Sequence, residues 1–293
     1  MRDKATNPGI WPGGARCAVM LTFDFDAESG WLSRDPSVAD RPGILSQGTY
    51  GAKVGVPRIL DLLDQQGIRS SFFIPGWVAE RHPAPTRAIC DAGHEIGHHG
   101  YLHERARPDQ PEVEREAFAR GLQALEAVAG VRAVGFRSPG WDLTPITLDL
   151  VRGAGMIYSS NLMDDAWPYL HRHPAGDVVE LPVQWLLDDA PFFQFNPHLV
   201  NRPIAVPNLV YGQWQEELLG AIELGGIFNL TMHPQLTGHP SRLRMLRRLI
   251  ELIKGLDGVW LATCEEVARF WLERERTRDG AAAGVPATGT PAS

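Results

Sequence analysis

Residues 93–104 read GHEIGHHGYLHE and hold four of the chain's ten histidines. Holding a divalent metal is the chemistry such a cluster could do, and two pairings compete for it. His94-Glu95-Ile96-Gly97-His98 fits the H-E-x-x-H pattern of zinc proteases, which needs a helix so that both histidines share a face and the glutamate serves as base. Glycines at 93, 97 and 100 oppose a helix, since each costs about 1 kcal/mol in a helix interior relative to alanine. Asp91-Ala92-Gly93 also reads as a helix ending. The spacing therefore predicts a short strand over 94–98. On it His94 and His98 lie on one side, about 13 Å apart, too far to share an ion. They are read as structural or supporting residues. His99 and His103 can meet on one helical turn or compact loop after that strand. A pair is not a site, so a third ligand must come from elsewhere.

LTFDFDAES offers one. Asp24 and Asp26, two apart on a strand, share a face while Phe23 and Phe25 point to the other. Burying two carboxylates is costly unless they are paired or metal-bound; capping the next helix or binding an arginine would also serve. One of them, with His99 and His103, would complete a three-ligand site that keeps an open position for water. FRSPGWD puts Arg137 at a strand end, either as a surface residue or as the partner of an aspartate. NLTMHPQL places His233 after an apolar run, either as a structural histidine or as a proton donor.

The elements that must position these groups are short apolar runs alternating with segments of helical period, the pattern of an α/β fold with β-α units around a parallel sheet or barrel. The strands expected are CAVMLTFDFD, IRSSFFIPG, HEIGHH, AVGFRSPG, MIYSSN, DVVELPVQW, GIFNLTMHP and VWLAT, some seven or eight in all. A Gly/Pro/Ser-rich loop is expected from Ser29 to Thr49, with Pro57 opening a helix. Functional residues of a parallel barrel collect at the C-terminal ends of its strands. Asp24, Asp26, His99, Arg137 and His233 all fall there. Residues 1–14 read as an N-terminal extension, 15–275 as the barrel domain and 276–293 as a disordered tail.

A net charge of -7 gives no basic surface for nucleic acid or anionic membrane, and favours a small or neutral substrate. Cys17, Cys90 and Cys264, odd in number and far apart, suit a reducing compartment. With neither a signal peptide nor a run long enough to span a bilayer, a cytoplasmic protein is expected.

Asp24-Phe25-Asp26, His99-x-x-x-His103, Arg137-x-Pro139 and Leu230-x-x-His233-Pro234, in that order, resemble the motifs of the polysaccharide deacetylase superfamily, the NodB-homology or carbohydrate esterase four family. The resemblance spans roughly residues 15–270. SSNLMDDAWPY, LPVQWLLDDAPFF and TMHPQLTGHPSRL are similar to segments of its intracellular branch, which includes peptidoglycan deacetylase-like proteins, cyclic imide hydrolases and an allantoinase. It implies a single-domain distorted (β/α) barrel holding one divalent metal, usually zinc, through Asp26, His99 and His103. Asp24 would be the general base, Arg137 its orienting partner and His233 the general acid of amide hydrolysis by a metal-activated water. Many extracellular members have adjacent aspartates, whereas Phe25 separates them here. Some intracellular members have altered or lost metal ligands; this chain keeps all three.

The leading substrate is a small cytosolic cyclic imide, ureide or N-acetylated compound. The alternative is the N-acetylglucosamine of peptidoglycan. A non-catalytic carbohydrate-binding relative would be signalled by a lost base, acid or ligand, and none is missing. Trp31 and Tyr50 in the loop after the first strand, and Trp167 and Tyr169 in AWPYLHRHP, read either as closing the barrel mouth or as core or subunit contacts. Trp141, Asp165 and Trp185 are further pocket candidates. Exposed aromatics, and relatives in the branch, point to a homo-oligomer.

Overall fold

Strand β1 (Cys17–Asp24) is buried along its whole length. A strand covered on both faces cannot alternate apolar with polar, which is why CAVMLTF is nearly continuous in apolar residues. In the computed structural model, which describes residues 9–195 and 203–283, β1 pairs with three neighbours in a curled sheet. The others are β2 (Ser71–Ile74), β3 (Glu95–His98), β4 (Gly135–Phe136), β5 (Tyr158–Ser159), β6 (Tyr169–His171), β7 (Val178–Glu180), β8 (Gly226–Met232) and β9 (Val259–Leu261). Their order is β6-β7-β5-β4-β3-β2-β1-β8, with β9 on β1. Every pairing is parallel except that of β6 with β7. β9 runs beside Cys17–Val19 and β2 beside Thr22–Asp24, leaving the other edge of β1 to β8.

The period of two decides what each face meets. Cys17, Val19, Leu21 and Phe23 join the core under the helices. Ala18 and Met20 join a second core with Phe73, Tyr158 and Val179, inside the curl. Thr22 and Asp24 continue that inner row, so the interior turns from apolar to polar toward the strand's C-terminal end. Strand β8 does the same: Phe228, Leu230 and Met232 pack outward, which turns Asn229, Thr231 and His233 inward.

The curl closes through side chains and single bridges rather than a continuous ladder. Asp188 bridges Thr231, Asn229 Nδ2 donates to the carbonyls of Leu181 and Pro182 at 3.4 and 3.1 Å, and Ile227 N–H donates to the Ala166 carbonyl at 3.1 Å. This is the distorted (β/α) barrel expected, with more strands than seven. The addition is β6, a short half-buried edge strand with no apolar run to announce it.

Two expectations need correction, and of the two readings of AWPYLHRHP the core one holds for Trp167. The segment after β1 is helical rather than a loop: Pro42–Tyr50 passes through a π-helical turn, Gly51–Gly55, into the helix Val56–Gln66. Its glycines serve close packing. A Cβ on Gly48 would sit 2.4 Å from the Ala27 carbonyl oxygen, and one on Gly55 would sit 2.2 Å from that of Pro234. AWPYLHRHP lies away from the mouth. Trp167 stacks on Trp11 at 6.1 Å, in an aromatic cluster with Trp271 where β1 and β8 begin. Residues 276–283, expected in a tail, continue the helix Cys264–Ala283, which Arg172 anchors through Asp279 at 2.6 Å. Residues 284–293 lie outside the described residues. Among the described residues no helix is long and apolar enough to cross a membrane.

Candidate active site

Strand β3 separates the histidines of the cluster by face. Ile96 and His98 point outward, where the His98 ring meets Phe118 edge-on at 4.6 Å. Gly97 and His99 point inward; a Cβ on Gly97 would sit 2.5 Å from the Phe73 ring, so only glycine fits. After His99 the chain turns at Gly100, with φ +74°, into a loop rather than a helix. Glu104 closes that loop by accepting from the N–H groups of Tyr101 and Leu102 at 3.1 and 2.8 Å. The N–H groups of Gly76 and Trp77 fix it through the Gly100 and Tyr101 carbonyls. The loop returns His103 to the mouth.

Asp26, His99 and His103 thereby converge, their ligand atoms all within 4.8 Å of one another. His99 Nε2 is 3.5 Å from Asp26 Oδ1, and His103 Nε2 is 3.5 Å from Asp26 Oδ2. These separations exceed good hydrogen bonds. They match the roughly 3.3–3.5 Å between ligand atoms of a tetrahedral ion with bonds of about 2.0–2.2 Å. Asp26 Oδ1 is buried without a hydrogen-bond partner, a costly state that an ion would relieve. His99 Nδ1–H donates to the Arg137 carbonyl at 2.6 Å, which leaves the Nε2 lone pair facing Asp26. The residues present fit a divalent ion. Burial would raise the Asp26 carboxyl, but His103, His99 and His233 bring it well below the usual carboxylate range. Burial takes His103 down to about 4, so its imidazole is neutral and free to ligate.

Arg137, fully buried, carries the neighbouring half of the site. Nη1 donates to Asp24 Oδ1 at 2.9 Å and Thr22 Oγ1 at 2.8 Å; Nη2 donates to Ser160 Oγ at 3.0 Å and Asn229 Oδ1 at 3.3 Å. The guanidinium lies over the Phe73 ring at 4.1 Å. A buried arginine needs acceptors for its charge, and those on the two terminal nitrogens fix Asp24, whose Oδ2 is 3.9 Å from His99 Nε2.

His233 follows β8, with Nε2 3.6 Å from Asp26 Oδ2. Its Nδ1 meets Asp189 Oδ1 at 2.7 Å, and Asp189 Oδ2 accepts from the His233 N–H at 3.0 Å and from Thr237 Oγ1 at 2.5 Å. Burial would lower the imidazole, but Asp189, with Asp188 and Asp26, raises it well above the usual histidine value. Asp188, Asp189 and His233 also cluster closely enough for a metal. Both Asp189 oxygens are already engaged by His233 and Thr237.

Of the pocket candidates, Trp141 and Trp185 meet at 4.5 Å, Trp141 buried and Trp185 half exposed. Trp31 follows Gly30, whose added Cβ would lie 3.7 Å from Asp26 Cβ. Tyr50 stacks on His239 at 4.0 Å, close beyond His233. Asp165 stands apart, beside Trp167 near the start of β8. Left-handed backbone among described non-glycine residues occurs only at Ala27, His103 and Trp141. Ala27 follows Asp26, His103 is itself one of the converging residues, and Trp141 packs on Trp185; such backbone costs about 1–3 kcal/mol each.

The comparisons agree with this geometry. A Mycobacterium smegmatis crystal structure assigned to the polysaccharide deacetylases is 42% identical with a TM-score of 0.86, the match covering 98% of this chain and 98% of that one. The polysaccharide deacetylase family model matches residues 16–159. The chain belongs to the polysaccharide deacetylase family. It is a hydrolase of the deacetylase and amidohydrolase kind, acting on carbon–nitrogen bonds. A Helicobacter pylori peptidoglycan deacetylase is 29% identical over 87% of this chain and 96% of its own length. An allantoinase structure is 25% identical with a TM-score of 0.77, covering 92% of this chain and 94% of its own.

Sequence reasoning missed Asp189, Thr22, Ser160 and Asn229. Adjacent aspartates inside the apolar run LLDDAPFF, and the alternation Asn229, Thr231, His233, were the available signals.

Proposed function

We propose that this deacetylase-family chain hydrolyses the carbon–nitrogen bond of a small non-peptide amide: a cyclic imide, a ureide or an N-acetylated compound. The observation that carries the reading is the convergence of Asp26, His99 and His103 around an unpartnered Asp26 oxygen, between the Asp24–Arg137 and His233–Asp189 pairs. When bound there, a divalent ion, zinc by the nature of the donors, supplies Lewis-acid polarisation of the scissile carbonyl and acidifies the attacking water. Asp24 accepts the proton of that water on Oδ2, while Arg137 holds Oδ1. His233 donates from Nε2 to the departing nitrogen, which is a poor leaving group until protonated. Asp189 keeps the ring in the tautomer and orientation for that transfer. Trp141 and Trp185 offer an aromatic wall to the substrate.

The helical segment 29–55, packed on Asp26 and Pro234, supports a short substrate over a long polymer. The H. pylori relative supports a second reading, deacetylation of peptidoglycan N-acetylglucosamine. A panel of succinimide, hydantoin, allantoin, chitooligosaccharide and peptidoglycan, each with metal-free and zinc-loaded protein, separates the two. Turnover of a small amide by loaded protein is expected. Turnover of acetylated glycans alone would reverse the ranking.

A further inference from the structure

The mouth carries a positive charge that the proposed chemistry does not use. Arg34 follows the short helix Ser29–Leu32, which begins just past Asp26, where Ser29 N–H donates to the Asp26 carbonyl at 3.0 Å. Arg105 lies two residues past His103, and its Nε is 4.0 Å from where a Cβ on Gly140 would stand, next to Trp141. The two arginines thus come from different segments, Arg34 eight residues past Asp26 and Arg105 two past His103. Arg34 is within electrostatic reach of Asp26, His103 and Arg105, and burial lowers its pKa. Neither guanidinium has an ion-pair partner among the described residues. Arg137, by contrast, has two acceptors on each terminal nitrogen, Asp24 among them.

Arg242 lies over the Phe193 ring at 5.2 Å, and among the described residues Arg58 donates to the Tyr50 hydroxyl and the Gly238 carbonyl. The chain as a whole has a net charge of -7, so two arginines without an ion-pair partner run against its average. Unpaired like charges within electrostatic reach of each other repel, and an incoming anion relieves that repulsion. The guanidinium fork matches a carboxylate with two parallel hydrogen bonds.

We propose that Arg34 and Arg105 receive a carboxylate of the substrate, making the preferred substrate an acid-bearing amide, such as an N-acyl or N-carbamoyl acid or an acid-substituted cyclic imide. This rests on the reading that the Asp26 centre hydrolyses carbon–nitrogen bonds, and it replaces the neutral substrate expected from overall charge. Matched pairs of substrates test it, each an acid and its neutral carboxamide, with wild type, Arg34→Gln, Arg105→Gln and the double variant. The wild type is expected to favour the acid by about ten- to hundredfold in kcat/KM. The double variant should bring the acid-to-carboxamide ratio near one, and added sodium chloride should erode the wild-type preference. Calorimetric titration with glutarate and its dimethyl ester reads binding alone: glutarate heat in the wild type and none in the folded double variant supports the receiver even if no amide is hydrolysed. Equal kcat/KM for acid and carboxamide in the wild type, or glutarate binding unchanged in the double variant, overturns it.

Discussion

His98 and His99 are adjacent on β3, and each is almost wholly removed from solvent, at 0% and 1% exposed. On the outer face His98 packs between Phe118 and Phe136 with neither ring nitrogen hydrogen-bonded, and burial takes it down to about 3. On the inner face burial also acts against charge at His99, but Asp24 and Asp26 outweigh it and raise the imidazole. One ring is a neutral filler under the helix Pro111–Ala129, where a Cβ on Gly121 would come within 2.4 Å of it. The other is tied to the Arg137 carbonyl and aimed at Asp26. Burial does not distinguish a core histidine from a site histidine; the charges its lone pair faces do.

The largest difference should appear on truncation. His99→Ala is expected to lower turnover by about 10³-fold or more with loss of bound metal, whereas His98→Ala should retain metal. Metal analysis alongside initial rates checks both, and equal losses would erase the distinction. His233 is a second inward histidine whose charge depends on carboxylates. Asp189→Asn should cost about 10²-fold in turnover. It should also move the alkaline limb of the kcat/KM profile to lower pH, because the partner that raises His233 is weakened. An unmoved limb would remove Asp189 from that role.

Outward, the effects should be on stability. His98→Ala is expected to destabilise by about 2–4 kcal/mol, the cost of a large core side chain, read by urea denaturation. The sign with pH follows from its lowered pKa. Below the ordinary histidine value of about 6.5 the unfolded chain binds a proton that the folded chain refuses until about 3. Stability therefore falls as pH drops through that window. His98→Leu should flatten the fall by up to a few kcal/mol, measured as the denaturation free energy from pH 7 to 3. The smallest effect expected is at Trp185. Half exposed at the rim, its change to alanine should alter KM by about threefold, with little change in stability.

Strand parity made much of this legible in advance. Two aspartates two apart must share a face, and glycines at 93, 97 and 100 forbid the helix that a protease motif would need. Asp189 was hidden because its partner lies 44 residues away across the closing seam of the barrel, a contact no local period encodes. The segment after β1 reads as a loop because Gly48 and Gly55 look like turn residues; they are small because other backbone presses on them. Asp165 lies in a segment similar to the family's, yet the chain carries it to the other end of the barrel with Trp167. Proximity in sequence to a motif did not translate into proximity to the site.

Asp26, His99 and His103 are proposed to hold one divalent ion. Metal content per chain, measured by mass spectrometry after dialysis against zinc and then metal-free buffer, tests it most directly in the wild type, His99→Ala and His98→Ala proteins. One equivalent is expected in the wild type and in His98→Ala, and none in His99→Ala. A full equivalent retained by His99→Ala, or none held by the wild type, would contradict it.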